Sequence, residues 1–219
     1  MILLALTDIH SKIALLKSIA ADIEAADAVL IAGDITHFGG SGELVTVLDE
    51  VKKYGRPVYG VCGNCDRPEA IIALAQSGAG IDRKAAVVGG MTVVGIGGSL
   101  PAPGGTPNEF SEADYKRFLG LEPFASLAPG SFILVSHQPP ANTAVDKVWI
   151  GTHVGSSEIR SFIETKKPLL CITGHIHEAL GLDTIGYTRI VNPGPLKSGN
   201  YAMIEIEGAK VKGIELKRG

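Results

Sequence analysis

Short, uninterrupted apolar runs recur along the chain and predict buried β-strands. Five of them are MILLAL, AVLIAG, PVYGVCG, SFILVS and PLLCIT. Runs of this length, apolar on both faces, are typical of strands in a parallel sheet. Between and after these runs, apolar residues recur every three or four positions, which is the spacing of an amphipathic helix. The alternation of the two patterns predicts an α/β fold.

Five segments carry the helical pattern. They are residues 12–25, 41–54, 68–76, 111–119 and 156–166. We expect Ser11 to cap the first helix and Gly55 to end the second, because serine accepts hydrogen bonds at helix N-termini and glycine adopts the left-handed conformation that ends helices. Three strands joined by the first two helices predict right-handed crossovers on a parallel sheet.

The second half of the chain contributes more β-structure and two long loops. Gly89-Gly90 in AAVVGGMTVVGIGG predicts a tight hairpin, and TRIVN, YAMIEIE and KVKGIELK carry the strand pattern. Segment 99–110 is rich in proline and glycine, and segment 138–155 holds the only tryptophan, Trp149. Long loops in compact domains are usually functional or disordered. We expect both loops to overhang a crevice at the strand ends; surface excursions without a role are the alternative.

Polar side chains able to bind metal follow each of the five strand-like runs. The clusters are Asp8-Ile9-His10, Gly33-Asp34, Gly63-Asn64-Cys65-Asp66, Ser136-His137 and Gly174-His175-Ile176-His177. Because the carboxyl ends of strands in an open α/β sheet converge on one crevice, side chains far apart in sequence can meet there. A single histidine is more often an ordinary core or surface residue. Four of the six histidines fall at predicted strand ends, which argues against that explanation for the set.

The chemistry of the set favours two divalent metal ions. Its seven candidate ligands are Asp8, His10, Asp34, Asn64, His137, His175 and His177. Mixed oxygen and nitrogen donors suit Mn, Fe, Ni or Zn rather than Mg or Ca. Asp34 stands alone in its cluster, and its carboxylate can place one oxygen on each of two ions. The identity of the metal stays open.

Composition and charge narrow the class of protein. A length of 219 residues with 45% hydrophobic content suits one domain over residues 1–219. The apolar runs fall short of the ~20 residues of a membrane helix, so we expect no membrane span and interpret MILLALTDIH as a strand rather than a signal peptide. The net charge of −3, with scattered basic residues, argues against nucleic acid as a partner and favours a small substrate. Three cysteines predict no disulfide framework and a reducing cytoplasm; a homo-oligomer stays open.

The ordered motifs DIH, GD, GNCD, SH and GHIH resemble those of the calcineurin-like metallophosphoesterase superfamily. The usual pattern there is DxH, GD, GNH followed by Asp or Glu, a lone His, and GHxH. NPGP at residues 192–195 resembles a turn common in the C-terminal part of the family, and HVGS and GDITHFG are similar to a branch of small phosphoesterases. The resemblance implies a four-layer sandwich of two mixed β-sheets flanked by helices. It also implies dinuclear metal-dependent hydrolysis of a small phosphoester, with a phosphodiesterase favoured over a monoesterase, by a hydroxide that bridges the two ions.

The resemblance also assigns roles to the candidate ligands. One ion would be held by Asp8, His10, Asp34 and His177, and the other by Asp34, Asn64, His137 and His175. Asn64 and His137 would in addition contact the substrate phosphate and act in catalysis.

One position departs from the family pattern. Cys65 stands where many members have a histidine that protonates the leaving oxygen, whereas Asp66, which would orient that histidine, is present. A thiol is a weak hydrogen-bond donor and a poor substitute. His37 and His153 are the histidines left to supply the proton, His37 as a catalytic candidate and His153 as a candidate for substrate binding.

Two other functions fit the same fold. The first is a catalytically silent scaffold, as in the retromer subunit that shares this fold, but all seven ligand positions are retained here. The second is a metal-dependent nuclease, against which the missing motif histidine and the acidic charge balance argue.

Overall fold

A computed structural model describes residues 1–219 and shows two β-sheets with helices on their outer faces. This confirms the expected α/β sandwich of two mixed sheets. The strands are β1 (Ile2–Leu6), β2 (Ala28–Ala32), β3 (Val58–Val61), β4 (Ala85–Val88), β5 (Met91–Ile96), β6 (Phe132–Ser136), β7 (Leu170–Ile172), β8 (Gly181–Ile185), β9 (Thr188–Asn192), β10 (Asn200–Glu207) and β11 (Lys210–Arg218). The helices are α1 (Ile13–Ser18), α2 (Ala20–Ala25), α3 (Ser41–Lys52), α4 (Pro68–Gln76), α5 (Glu112–Leu119) and α6 (Ser157–Lys166).

Each sheet has a parallel centre and antiparallel additions. The first sheet has the strand order β11-β10-β1-β2-β3, and the second has the order β4-β5-β6-β7-β9-β8. β1, β2 and β3 pair in parallel, as predicted, and so do β5, β6, β7 and β9. Antiparallel pairs attach β10 to β1, β11 to β10, β4 to β5 and β8 to β9. The carboxyl ends of the parallel strands therefore supply two neighbouring rows of loops.

Successive residues of β1 show how the layers are built. Leu4 and Leu6 face α1 to α4 in one apolar cluster, whereas Leu3 and Ala5 face the second sheet in another. All four side chains are fully buried. Side chains alternate across a strand, so a strand buried on both faces has to be apolar at every position. A third cluster packs α5 and α6 on the outer face of the second sheet, which completes four layers.

The start of the chain differs from the predicted helix. The periodicity predicts one helix over residues 12–25, but the structure contains α1 and α2 with a break at Ile19. Ser11 does not cap α1, because its φ is +61° and its hydroxyl donates to Glu43. The turn after β1 is instead shaped by contacts to the loop after β2, where the Ser11 amide donates to the carbonyl of Ile35 at 3.1 Å. Tertiary contacts override the local capping preference here.

Most of the other predicted turns, caps and helix ends are confirmed or nearly so. The β4–β5 hairpin turns at Gly89 and Gly90, whose φ values are +56° and +83°, as a tight hairpin requires. Ser111 and Ser156 cap α5 and α6 with their side chains. α3 ends at Lys52, two residues before the predicted end. The edge strand β8 was not predicted, because its sequence GLDTI is short and only its last residue, Ile185, is buried. No helix is both long enough and apolar enough to cross a bilayer.

A buried carboxylate joins the loops after β2 and β3. Asp66 is fully buried and accepts hydrogen bonds from the amides of Ile35, Thr36 and Gly63 at 3.2, 2.7 and 2.8 Å, and from the Thr36 hydroxyl at 2.7 Å. Burial and the charge of Asp34 raise the pKa of Asp66 to about 6, against the effect of these donors. Both loops carry candidate ligands. The hydrogen bonds of Asp66 therefore fix the position of the two loops, and with them the position of those ligands.

We predict that Asp66→Ala lowers the free energy of unfolding by about 2–4 kcal/mol, because a buried donor left without its acceptor costs about 1–3 kcal/mol. Urea unfolding followed by circular dichroism measures the change. Asp49→Ala, at an exposed position of α3, is the matched control and should change stability by no more than about 0.5 kcal/mol. Equal stabilities of the two variants would show that Asp66 does not hold the loops together.

Candidate metal centre

All seven candidate ligands lie just beyond the carboxyl ends of parallel strands. Asp8 and His10 follow β1, Asp34 follows β2, and Asn64 follows β3 in the first sheet. His137 directly follows β6, and His175 and His177 follow β7 in the second sheet. The side chains from the first sheet and His137 are buried, whereas His175 and His177 are partly exposed. The two rows of loops thus meet at one edge of the sandwich, with an opening on the side of the last two histidines.

Four of these residues have left-handed backbone. The φ values of Asp8, His10, Asp34 and His175 are +52°, +45°, +48° and +69°. Residues other than glycine rarely adopt this conformation, and each costs on the order of 1–3 kcal/mol unless the surroundings enforce it. Hydrogen bonds between loops do so, since the amides of Asp8 and His10 each donate at 3.0 Å, to the carbonyls of Gly33 and Asp34. Such strained positions cluster at functional sites.

Two glycines allow the ligand loops to approach closely. A side chain at Gly33, whose φ is +90°, would collide with the imidazole of His137, and one at Gly63 would collide with the carboxylate of Asp34. Only glycine has no Cβ to clash at such positions. The two sites explain why GD and GN both begin with glycine in this chain.

The first group of ligand atoms gathers around Asp8. Its Oδ1 lies 3.0 Å from Nε2 of His177 and 3.8 Å from Nε2 of His10, and the two imidazole nitrogens are 3.5 Å apart. Burial opposes ionisation of Asp8, but the hydrogen bond from His177 and the neighbouring imidazoles outweigh it and lower the pKa of Asp8 below its usual value. An ionised carboxylate and two imidazoles thus converge on one small volume.

Asp34 lies between the two sets of side chains. Its Oδ2 is 3.7 Å from Nε2 of His10, and its Oδ1 is 3.5 Å from Nε2 of His137. Ligand atoms of Asp8, Asp34 and His137 lie within 4.8 Å of one another. Each oxygen of the Asp34 carboxylate therefore faces a different histidine, which is the arrangement that a bridging ligand needs.

The contacts of His137 fit a cation. Its Nδ1 lies 2.7 Å from the carbonyl of Ala32, so this nitrogen carries the proton and donates it. In the neutral ring, Nε2 then presents a lone pair to Oδ1 of Asn64 at 2.9 Å. Two acceptors at that distance repel each other unless a cation or an added proton lies between them. An imidazole whose other nitrogen donates to a carbonyl is the usual form of a metal-binding histidine.

His175 and His10 are held as neutral imidazoles. Burial lowers the pKa of each ring to about 4, even though Asp8 and Asp34 favour the charged form. The amide of His175 donates to Oδ2 of Asp8 at 3.1 Å, and its ring centre lies 5.1 Å from that of His137. Near pH 7 both rings keep an unprotonated nitrogen available for a metal ion.

Cys65 lies closer to the centre than sequence reasoning suggested. Ligand atoms of Cys65, His10 and Asp34 lie within 4.8 Å of one another, and the Cys65 amide donates to Oδ1 of Asp34 at 2.8 Å. Burial and the charge of Asp34 raise the pKa of the thiol well above its usual value, so the thiol is protonated. The sequence identifies Cys65 as a missing histidine but not as a neighbour of these ligands.

The neighbouring Asp66 corrects the expectation drawn from the family pattern. Both of its oxygens already accept hydrogen bonds from Ile35, Thr36 and Gly63. This carboxylate therefore holds backbone rather than standing free to orient an imidazole at position 65.

The two unassigned histidines occupy different places. Nδ1 of His37 lies 3.5 Å from Nδ1 of His10, and the His37 ring is exposed to solvent. Nδ1 of His153 lies 2.6 Å from Oδ1 of Asp146 in its own loop, and no hydrogen bond or ion pair joins it to a candidate ligand. The structure thus places His37 against Nδ1 of His10, the ring nitrogen opposite the Nε2 that faces the other candidate ligands, and leaves His153 outside the centre.

Both long loops contact residues that neighbour the ligands. In loop 99–110, Asn108 donates its amide to the carbonyl of Asn64 at 3.2 Å and its side chain to the carbonyl of Gly63 at 3.0 Å. In loop 138–155, the amide of Trp149 donates at 3.3 Å to Glu178, directly after His177. The Trp149 side chain is 87% exposed. The tip of the second loop therefore lies beside the open side of the centre.

Buried Asp146 organises this second loop and was not identified from the sequence. Its carboxylate accepts hydrogen bonds from the amides of Asn142, Thr143 and Gly155 at 3.0, 2.8 and 3.0 Å, besides its contact with His153. No local pattern in the sequence indicates these partners, which approach from both ends of the loop.

Known proteins with similar sequences and folds were compared with this chain. An uncharacterised protein of Methanocaldococcus jannaschii is 38% identical over 198 residues, which cover 88% of each chain. A solved structure from Thermus thermophilus is similar over 99% of this chain and 98% of that chain, with 20% identity and a TM-score of 0.76. A dimetal phosphatase from Danio rerio is similar over 100% and 95%, with 13% identity and a TM-score of 0.66.

The match to a known domain extends over nearly the whole chain. Residues 1–208 match the calcineurin-like phosphoesterase superfamily domain. The region includes every strand end that carries a candidate ligand, and the solved structures share the arrangement of both sheets. Motifs, fold and domain match agree, and the chain belongs to the calcineurin-like phosphoesterase superfamily.

Proposed function

We propose that this protein hydrolyses small phosphodiesters with two divalent metal ions. The observation that carries the proposal is the position of Asp34, whose two oxygens face His10 and His137 at 3.7 and 3.5 Å. Two ions held on either side of Asp34 would lower the pKa of a bound water molecule and offset the negative charge of the phosphate oxygens. The mixed oxygen and nitrogen donors favour Mn, Fe, Ni or Zn.

The proposed ligand sets follow the two groups of contacts. Asp8, His10 and His177 would hold one ion with Asp34, and Asn64, His137 and His175 would hold the other with Asp34. The first group is supported by the 3.0–3.8 Å distances around Asp8. The second is supported by the opposed acceptors of His137 and Asn64 at 2.9 Å.

Asn64 and His137 are also the proposed contacts to the scissile phosphate. The His137 ring cannot rotate freely, because its Nδ1 donates to Ala32 and its side chain is fully buried. The side-chain nitrogen of Asn64, Nδ2, has only the Cys65 sulfur as a hydrogen-bond partner, at 3.7 Å. This nitrogen can therefore donate to a phosphate oxygen, while Oδ1 of the same side chain would bind the ion.

The proton for the leaving oxygen is proposed to come from His37. Its ring lies beside His10 and is open to solvent, so it can be reprotonated between turnovers. His153 is the weaker candidate for contact with substrate, because Asp146 binds its ring inside the loop.

The preference for diesters over monoesters rests on charge. Every ion-pair partner of Asp8 and Asp34 is a histidine, and no arginine or lysine is paired with either. A phosphodiester carries one negative charge and a monoester up to two, and apart from the two proposed ions no lysine or arginine is paired with Asp8 or Asp34 to offset the second charge. A silent scaffold of this fold would not need to bring all seven ligands together. Nucleic acid remains a disfavoured substrate, since the net charge is −3.

The first test of this function is Asp34→Asn. The amide loses one of the two anionic oxygens, so we expect the wild type to bind up to two transition ions and the variant to lose at least one. Hydrolysis should fall on the order of 10³-fold, because metal ions supply several kcal/mol of transition-state stabilisation. Elemental analysis of purified protein and kcat/KM on an activated diester measure the two effects. Asp49→Asn is the control, and a fully metallated, active Asp34→Asn protein would refute the assignment.

The second test uses Trp149, the only tryptophan. Its amide contacts Glu178, next to His177, and the residue is 87% exposed, so we expect inorganic phosphate or a substrate analogue to shift its emission to shorter wavelength. Titration of the metal-loaded protein measures the shift, and Trp149→Phe, which should show none, is the control. A spectrum that stays unchanged at saturating ligand would place the loop outside the substrate site.

The third test concerns Cys65 and leaving-group protonation. Without the family histidine, activated aryl diesters should react much faster than alkyl diesters. Because His37 is proposed to supply the proton already, Cys65→His should raise kcat/KM for alkyl diesters only slightly, far less than the roughly 10²–10⁴-fold of a well-placed acid; a large rise would show that no acid acts in the wild type. The aryl-to-alkyl ratio of kcat/KM is the measurement, with Cys65→Ala as the control.

The same ratio identifies the histidine that supplies the proton. If His37 does so, His37→Ala should impair alkyl substrates selectively, and His153→Ala should not. A ratio that is equal in the wild type and in Cys65→His, His37→Ala and His153→Ala would show that protonation does not limit turnover.

A further inference from the structure

A basic cavity lies at the edge of the sandwich opposite the metal centre. Its volume is about 400 Å³, and it is bounded by the segments that lead into β6, β7 and β9 and by the turn from β10 into β11. The candidate metal ligands follow the carboxyl ends of the parallel strands, whereas this cavity lies where β6, β7 and β9 begin. The cavity is therefore separate from the site of the proposed function.

Arg189 extends into the space between the two sheets at this edge. Side chains alternate along a strand, and in β9 Ile190 packs with α6, whereas Val191 belongs to the apolar cluster between the sheets. Arg189 is two residues before Val191 and lies on the same face of the strand. A guanidinium thus stands at the end of a face that otherwise forms the core.

The guanidinium of Arg189 has no partner in the protein. Its Nε is the only buried side-chain nitrogen or oxygen in the chain without a hydrogen bond, and arginine ion pairs occur at other positions. Buried donors are nearly always satisfied, and one without an acceptor is costly. Because Arg189 lines the cavity, this donor is suited to an acceptor that comes from solution.

Two lysines add to the positive charge of the cavity. Lys167 and Lys210 both line it, and none of its nine lining residues is acidic. Neither lysine forms an ion pair. Lys167 comes from the second sheet's side and Lys210 from the β10–β11 hairpin of the first sheet. Cations from both sheets therefore face one cavity without counter-ions.

The acidic residues nearest to these lysines in sequence have other partners. Glu164 lines an adjoining cavity beside Lys167, but its carboxylate pairs with Arg160 at 2.8 Å. Glu207 pairs with Lys212 at 2.9 Å. The side chains of the two glutamates are 51% and 73% exposed, so solvent screens their charges. The cavity itself keeps its positive character.

An aromatic ring and apolar side chains lie beside the cations. Tyr187 lines the cavity from the turn between β8 and β9 and is 90% exposed. Leu169 and Val211 also line it and pack against the cluster between the sheets. Guanidinium and ammonium groups suit phosphate oxygens, and an exposed ring suits a flat base by stacking. The volume is within the range of small-molecule sites, roughly 300–1,000 Å³.

We propose that this cavity binds a nucleoside diphosphate, with its phosphates on Arg189, Lys167 and Lys210 and its base on Tyr187. The inference goes beyond the proposed function, because none of these residues belongs to the metal centre. Two phosphates carry enough negative charge to engage three cations. The nucleotide would be an effector rather than a substrate, since the metal centre lies at the other ends of the same strands.

Isothermal titration calorimetry with ADP tests the proposal. Arg189→Met should weaken binding about tenfold, because charged hydrogen bonds to phosphate are lost. Tyr187→Ala should weaken ADP binding by a similar factor and leave pyrophosphate binding unchanged, because stacking involves only the base. Lys116→Met removes an exposed lysine of α5 and should bind as the wild type does. Asp34→Asn alters the metal centre and should also keep the wild-type affinity for ADP.

Urea unfolding separates a binding role of Arg189 from a structural one. Without ADP, Arg189→Met should be at least as stable as the wild type, since an apolar side chain replaces a buried donor that has no acceptor. Saturating ADP should raise the urea midpoint of the wild type more than that of the variant, because a ligand that binds the folded state stabilises it. A variant that is strongly destabilised without ADP would show that the guanidinium supports the fold, and this would overturn the inference.

The binding data can contradict the proposal in four ways. The wild type might show no ADP binding, or Arg189→Met might bind ADP as tightly as the wild type. Equal affinity of the wild type for ADP and pyrophosphate would mean that the base is not recognised. Loss of ADP binding in Asp34→Asn would place the nucleotide at the metal centre. Hydrolysis of phosphoesters enters none of these measurements, so failure of the proposed function leaves this test intact.

Discussion

Three carboxylates buried where β1, β2 and β3 end impose the main constraint on this molecule. An ionised carboxylate without partners in the interior is costly. Asp66 meets the requirement with four donors from two loops, whereas Asp8 and Asp34 face imidazoles at 3.0 to 3.8 Å. Since His137 and His177 come from the second sheet, their contacts with these carboxylates also join the two sheets at one edge. The centre is therefore part of the architecture as well as the proposed site of chemistry.

The positions of the candidate ligands could be predicted because strand ends are visible in the sequence. Strands such as β1 and β6 are apolar at nearly every position and end abruptly at a polar cluster. Backbone conformation was less visible: nothing local indicates that Asp8, His10 and Ser11 have positive φ, and for that reason the expectation that Ser11 caps α1 was wrong. Those conformations are enforced by the loop after β2, which is distant in sequence.

Contacts between distant segments account for what the sequence did not reveal. Asp66 finds its donors about thirty positions away, at Ile35 and Thr36, and no periodicity encodes such a pairing. The amide of Lys197 donates to the carbonyl of Asp8 at 3.1 Å, because β10 pairs with β1 and places the preceding turn beside it. In the GNCD motif, the two residues after Asn64 therefore have different roles. Cys65 lies close to the candidate ligands, whereas Asp66 accepts hydrogen bonds from the backbone of the ligand loops.

The buried carboxylate of Asp146 has an entropic consequence for loop 138–155. Ordering a loop on binding reduces affinity, because the lost conformational freedom opposes association. Here the amides of Asn142 and Gly155 already bind the same carboxylate, and Glu112 of α5 receives the hydroxyl of Ser156 at 2.6 Å, where the loop enters α6. The loop is thus preorganised at its base. The conformational entropy of the loop base is therefore lost during folding rather than on any later binding event.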